Sequence, residues 1–324
     1  MAPPETAPAT EAGFAELAER HRRELQVHCY RMLGSFEDSE DLVQETLLRA
    51  WRKRDTFAGR SSFRAWLYKI ATNACLDALE RRPRPRPGGG GPLTEVPWLQ
   101  PYPDRLLEGI APDEDSPEAA VVARETIELA FIAAIQLLPP RQRAVLIARD
   151  VLGWSAAASA SLLDLSVPAA NSALQRARAT LRQHLPARRL EWAPGSDPNV
   201  EERALLQRYM DASERGDAAA MVELLREDAL FAMPPEPVWV VGAEAMVASW
   251  VGGGFGSDSW GRLRCVPTRA NGQPAVANYL LSPGESAFRP MALDVLRIEE
   301  GALAEVIAFA LEPFLDALDL PRAL

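Results

Sequence analysis

At roughly 100–200 residues per domain, a chain of 324 residues points to two or three domains. A content of 48% hydrophobic and 25% charged residues supplies a core and excludes wholesale disorder, and no apolar run reaches the roughly 20 residues that a membrane span needs. The net charge of −10 does not exclude nucleic acid, because 18–86 carries +5 and 137–190 carries +6, whereas 87–136 carries −7 and 191–324 carries −11, and attraction to phosphate acts locally, within about 8–10 Å.

Residues 1–13 (MAPPETAPATEAG) lack the basic start and apolar stretch of a secretory signal and read as a disordered N-terminus. Cys29, Cys75 and Cys265 are far apart and odd in number, which fits a reducing, cytoplasmic setting without a disulfide frame. Three histidines without a Cys/His cluster give no zinc site, and nothing in the sequence asks for a cofactor.

From residue 14 to about 86 the pattern is helical. Leu17, His21, Leu25, His28 and Met32 recur at three- and four-residue steps, as do Val43, Leu47, Ala50 and Trp51. Glu37, Asp38, Glu40 and Asp41 suit the positive N-terminal end of a helix dipole. With Val43, Leu47, Ala50 and Trp51 inward, Asp41, Gln44, Glu45 and Leu48 form an acidic and apolar outer stripe. Such a stripe suits docking on a basic partner helix, and a merely solvated face fits the pattern equally well. A further helix opens at Phe63 with Ser61 or Ser62 as its cap. Leu67, Ile70, Ala74 and Ala78 form its core face, and Lys69, Asn73, Asp77 and Arg81 line another. Phe57, Phe63, Trp66 and Tyr68 crowd its start. Basic groups beside aromatic rings are what opened, single-stranded DNA requires, although each ring taken alone suits a core position better.

Residues 87–117 are rich in Pro and Gly and read as an acidic linker. A second helical domain follows over 118–187. Ser155 caps a short Ala-rich helix, Asp164-Leu165-Ser166 makes the turn, and Ser166 caps the next helix with Pro168 in its first turn. That helix, Val167–His184, buries Val167, Ala170, Leu174, Ala177 and Leu181. It turns Ser172, Gln175, Arg176, Arg178 and Arg182 outward. A short helix, a tight turn and a longer helix bearing guanidinium and amide groups is the helix-turn-helix arrangement that enters a DNA major groove. There Arg forks onto guanine, Gln onto adenine, and the remaining arginines hold phosphates. An ordinary helical hairpin with solvated arginines is the alternative.

Residues 188–198 form a second linker, and 199–324 change grammar to α+β. Two helices, at about 199–215 and 217–226, precede a strand-rich part. Asn271-Gly272 separates the apolar runs 263–266 and 275–281, and Glu300-Gly301 separates 291–298 from 303–309; both read as hairpins. Asp294 alternates with Ala292, Leu296 and Ile298, which places a carboxylate on an apolar strand face, where burial raises its pKa.

Taken together, residues 14–187 resemble an extracytoplasmic-function RNA polymerase sigma factor. The resemblance rests on CYRMLGS at 29–35, DSEDLVQETLLRAWR at 38–52, FAGRSSFRAWLYKIATNACLDALERR at 57–82, LPPRQRAVLIARDVLGWS at 138–155 and SVPAANSALQRARATL at 166–181. PWLQPYPD at 97–104 is similar to a linker signature of the SigG- and SigJ-like subgroup, whose members carry a C-terminal SnoaL-like domain. The density of aromatics there (Trp98, Tyr102) predicts that the linker packs on something.

The implied architecture is two all-α sigma domains, a helical bundle and a helix-turn-helix, followed by an α+β SnoaL-like cone. The implied partners are core RNA polymerase at Asp38, Asp41, Gln44, Glu45 and Leu48, and minus-ten DNA at Arg60, Trp66, Lys69, Asn73, Asp77 and Arg81. Minus-thirty-five DNA falls to Ser172, Gln175, Arg176, Arg178 and Arg182. The C-terminal domain is expected to act in cis through an intramolecular contact with the sigma domains, and to bind a small ligand, if any, near Trp239, Trp250 and Asp294. No enzymatic role and no membrane partner is expected. Ala156–Ser161 lacks the acidic residues usual for the family, and Asp164 stands where glycine is common. Two rival readings stay open: a ligand-sensing DNA-binding regulator that needs no polymerase, and a SnoaL-like enzyme with a DNA-binding appendage.

Overall fold

The computed structural model describes residues 11–57, 62–82, 92–107, 127–185 and 200–324. They fall into two compact units. The first holds the helices of 11–82 and 127–185, and the second holds 92–105 with 200–324.

The first unit opens with α1 (Glu11–Arg20) and α2 (Arg22–Leu33), broken at His21 where the periodicity predicts one continuous run. Gly34 ends α2 at φ +71°, a left-handed conformation that an L side chain adopts only with strain, and its N–H bonds back to the Tyr30 carbonyl. Ser35 then caps α3 (Phe36–Lys53), its Oγ accepting from the Asp38 N–H at 3.2 Å. Ser62 does the same for α4 (Phe63–Arg81). Leu25, Met32, Leu67 and Ala74 fill the core among these helices. His28 is buried there against the Thr72 hydroxyl, at 2.9 Å, and burial pulls its pKa down to about 3, so it is neutral.

After a short helix α5 (Pro92–Glu95), which belongs to the second unit, the first unit resumes with α6 (Leu129–Gln136) and α7 (Pro140–Leu146), which runs on into a π-helical turn over Ile147–Val151. The helix-turn-helix follows as α8 (Ala156–Leu162) and α9 (Val167–His184). Ser155 and Ser166 are the caps, as the sequence predicts, accepting from Ala158 and Ala169 N–H groups. Ala170, Ala173, Leu174, Ala177 and Leu181 are buried. Val167, expected inside, is 39% exposed because it sits in the first turn, before the helix reaches the core.

In the second unit, α10 (Val200–Arg215), α11 (Ala218–Leu224) and α12 (Ala243–Gly252) pack with a six-stranded sheet. The strands are β1 (Leu225–Ala232), β2 (Trp239–Val241), β3 (Arg262–Ala270), β4 (Gln273–Leu281), β5 (Arg289–Glu299) and β6 (Ala302–Ala310), in the order β2-β1-β6-β5-β4-β3. All neighbours are antiparallel except β1 and β6, which are parallel. Both predicted hairpins form: Asn271-Gly272 joins β3 to β4 and Glu300-Gly301 joins β5 to β6, with all four residues at positive φ. Tyr209, Met221, Met246, Leu296 and Val306 belong to the core between the helices and the sheet. A short helix, α13 (Leu315–Leu318), follows the last strand.

Candidate nucleic-acid interface

Three surfaces of the helical unit carry the predicted residues. On α3, Asp41, Gln44 and Leu48 are exposed, Leu48 at 57%. Leu47 and Trp51, read as core, are only half-buried. With Phe14 and Ala18 of α1 and with Gln44 and Leu48, they line a groove of about 530 Å³. The predicted inner and outer faces of α3 therefore meet in one amphipathic cleft, because α1 covers α3 only in part. Asp38 and Glu45 are engaged internally. Arg82 pairs with Asp38 and donates to the Leu33 carbonyl at 3.0 Å. Arg49 reaches Glu45 at 2.6 Å and Asp77 at 3.0 Å, tying α3 to α4.

On α4, Asn73, Asp77 and Arg81 are exposed along one stripe and Lys69 is half-buried. Asp77, predicted to meet DNA, is held by Arg49. The aromatic cluster divides. Phe63 and Tyr68 are buried core residues. Phe57 and Trp66 stay half-buried at the rim, 5.4 Å apart between ring centroids. Arg60 lies outside the described residues.

On α9, Ser172, Gln175, Arg176, Arg178 and Arg182 are all exposed, as the periodicity requires. Arg178 makes a two-pronged bond with Asp150, at 2.6 and 2.9 Å, which raises its pKa further. Its guanidinium is thus aimed by a carboxylate rather than by solvent. Arg143, one of the basic residues of this region, is not on the surface at all. It is buried, and donates to the carbonyls of Met32, Gln136 and Leu138 and to the Gln136 side chain. Gln136 in turn donates to the Arg31 carbonyl at 3.1 Å. The carbonyl-rich C-terminal ends of α2 and α6 thereby converge on one cation, the charge their dipoles favour. Burial lowers the Arg143 pKa to about 9. Gly34 fits this junction for a second reason: a Cβ there would meet the Gln136 side chain at 3.0 Å.

In the second unit, Asp294 is buried on β5. Its Oδ2 accepts from the Tyr209 hydroxyl at 2.9 Å and from the Asn278 amide at 2.5 Å. Burial pushes its pKa up to about 6, partly offset by those two hydrogen bonds. Cys265 donates to Asn278 Oδ1 at 3.2 Å. Trp250 lies edge-on to Phe231, and Trp239 sits in β2 opposite Ala232. Among the described residues, no hydrogen bond or ring contact joins Trp239, Trp250 and Asp294 into one site. Tyr209 and Asn278, the partners of Asp294, carry no signal in sequence, since each is a single polar residue in an otherwise ordinary helix or strand.

The aromatic segment at 97–104 packs on this same unit. Tyr102 is fully buried; its carbonyl accepts from the Asn271 N–H and its own N–H donates to Asn271 Oδ1, both at 2.8 Å. Pro103 bridges Ala270. Asp104 accepts from the Gly272 N–H at 2.8 Å and from Arg269 at 3.2 Å. Arg105 donates to the Asp316 and Ala317 carbonyls. The segment is a strap across the β3–β4 turn.

The family models agree with this division. Residues 17–84 match sigma-70 region 2, 128–181 match sigma-70 region 4, and 206–306 match a SnoaL-like domain. The ECF RNA polymerase sigma factor SigG of Mycobacterium tuberculosis is 42% identical over 323 residues, covering 96% of this chain and 85% of its own. The chain belongs to the extracytoplasmic-function sigma factors. SigJ of the same organism is 32% identical over 65% of the sigma factor described here and 61% of its own length. The crystal structure of SigJ superposes with a TM-score of 0.60 at 22% identity, covering 95% of this sigma factor and 99% of that chain, and shows a shared fold. Among the described residues of the sigma factor, no helix is long and apolar enough to cross a membrane and no group of residues is arranged to hold a metal ion.

Proposed function

We propose that this sigma factor binds core RNA polymerase in the cytoplasm and directs it to specific promoters. In this reading α3 docks on the polymerase through Asp41, Gln44 and Leu48, with Asp38 and Glu45 flanking. The α4 stripe of Lys69, Asn73, Asp77 and Arg81, with Trp66 and Arg60, engages the opened minus-ten strand. Helix α9 reads the minus-thirty-five duplex through Ser172, Gln175, Arg176, Arg178 and Arg182, and the C-terminal domain regulates in cis. In this reading the sigma factor contributes binding rather than covalent chemistry, and the enclosure of Asp294, whose Oδ2 accepts from two internal donors, supports a structural place for that carboxylate.

The observation that carries this reading is the cleft between α1 and α3. A leucine 57% exposed beside an exposed carboxylate and amide, over an amphipathic groove of about 530 Å³ floored by Phe14, Leu47 and Trp51, is what an amphipathic basic helix would cover. A ligand-sensing regulator that works without polymerase has no use for it. The test is run-off transcription with core polymerase on genomic fragments. The full chain is expected to initiate at a specific promoter, and Asp41→Arg and Leu48→Asp are each expected to abolish initiation. Both positions are exposed, so stability should change by no more than about 0.5 kcal/mol. If the full chain gives no transcript on any fragment, and neither does a form ending near residue 195, the reading fails.

A further inference from the structure

The minus-ten stripe of α4 is not open along its whole length. The helix-turn-helix packs against it within the same compact unit. Lys69 Nζ bonds Asp164 Oδ1 at 2.6 Å and the Ser161 carbonyl at 3.2 Å. Beside it, the Tyr68 ring meets Trp154 at 5.4 Å. The junction of Arg143 and Gln136 with the end of α2 closes the same two domains on another side. Minus-ten and minus-thirty-five elements are separated by about 25 base pairs, or about 85 Å at 3.4 Å per pair. Two domains in direct contact cannot hold both at once, so the closed arrangement must open when a promoter is engaged.

Asp164 is the residue that the promoter-binding reading leaves unexplained. It occupies the turn after α8 at φ +51°, a left-handed position where glycine carries no steric cost. An aspartate there forgoes that relaxation. It brings a carboxylate to a cation that in the open state would face a DNA phosphate.

We infer that Asp164 is an internal stand-in for a promoter phosphate: Lys69 holds the helix-turn-helix against α4 in the free protein and exchanges Asp164 for the DNA backbone when the two domains part. The inference rests on the proposed role of α4 in binding the minus-ten strand. Both side chains are partly exposed, at 38% and 75%, so the pair biases the closed form only modestly, by an amount that shows in the closed population when the two forms are near balance. An exposed ion pair of this kind is worth up to about 1 kcal/mol, equivalent to about a fivefold change in an equilibrium.

The experiment uses the full chain with dyes at Glu80→Cys and Gln183→Cys, both exposed positions on α4 and α9, in a Cys265→Ser background. Energy transfer reads the closure without polymerase or promoter. Fluorescence anisotropy with a single-stranded oligothymidylate of about 20 nucleotides at low salt reads the α4 face. Asp164→Asn and Asp164→Gly both suit a left-handed turn, so neither is expected to unfold the domain. Each is expected to lower transfer efficiency and to tighten oligonucleotide binding roughly two- to fivefold. In a Lys69→Met background the same substitutions should leave binding unchanged. Unaltered transfer in both Asp164 variants overturns the inference. So does a gain in binding that persists without Lys69, which would mark a general charge effect, and so does a failure of every form to bind the oligonucleotide. Run-off transcription by the wild type tests the sigma-factor reading separately, and transfer efficiency can fail while transcription succeeds.

Discussion

Replacing Asp294 with asparagine should stabilise the second unit at neutral pH and leave it unchanged in acid. The carboxylate is buried with two neutral donors, and its pKa is raised from the ordinary 3.8 to about 6. Below about pH 4 the carboxyl is protonated in both the folded and the unfolded chain, and the folded state carries no penalty. Between about pH 4 and pH 6 the unfolded chain releases its proton while the folded domain keeps it, so stability falls as pH rises. Above about pH 6 the full cost is present, about 3 kcal/mol at roughly 1.4 kcal/mol per pH unit. The substituted amide would offer one acceptor to Tyr209 and Asn278 in the same place and would not ionise. Urea unfolding of the full chain, following the β-sheet signal of the second unit from pH 4 to pH 8, measures the difference between wild type and Asp294→Asn. The expected difference rises from near zero at pH 4 to about 1–3 kcal/mol at pH 7, where part of the gain is lost to weaker hydrogen bonds from a neutral acceptor. A difference that does not vary with pH would refute the assignment of the burial cost to this carboxylate.

Two further outcomes follow from contacts away from Asp294. Asp104→Ala removes the acceptor for the Gly272 N–H and for Arg269, charge-assisted bonds worth about 1.5–3 kcal/mol each. Tryptic cleavage after Arg105 in the full chain is then expected to quicken by at least about tenfold, since proteolysis follows the open population, and an unchanged rate would mean that the strap is held elsewhere. Ser166→Ala deletes the cap of α9 and should lower the stability of the helical unit by about 1 kcal/mol, read by thermal melting. A shift below the error of the melt would show that the cap is replaced by solvent.

What the sequence made legible was local chemistry. Ser155, Ser166, Asn271-Gly272 and Glu300-Gly301 each act within three or four residues, and each element they bound appears where the sequence predicts it. The α+β character of 199–324 followed from two helical runs ahead of two hairpin turns, and the burial of Asp294 from alternation along one strand. What it concealed depended on distant partners. Nothing in RQR sets Arg143 apart from Arg141; its burial depends on the carbonyl ends of α2 and α6, the first of them far away along the chain, which converge on it. Arg178 and Asp77 read as outward-facing, which they are, but their ion pairs with Asp150 and Arg49 connect distant segments and leave no periodic trace. The break at His21 and the π-helical turn over 147–151 were likewise silent, because neither a proline nor a glycine announces them. The exposed positive face of the helical unit is therefore thinner than a count of arginines suggests, by at least one residue that serves as internal mortar.

The strap at 97–105 has a consequence for how this protein can be taken apart. Chain that separates two sigma domains is ordinarily free to lengthen, shorten or drift in sequence, since only its reach matters. Here its Tyr102 and Asp104 complete the surface of a different module, so the residues between the domains are bound to the fold of the C-terminal one. A graft of that module onto another sigma factor would have to bring those residues with it, inserted upstream of region 4, or leave the turn at Asn271-Gly272 bare.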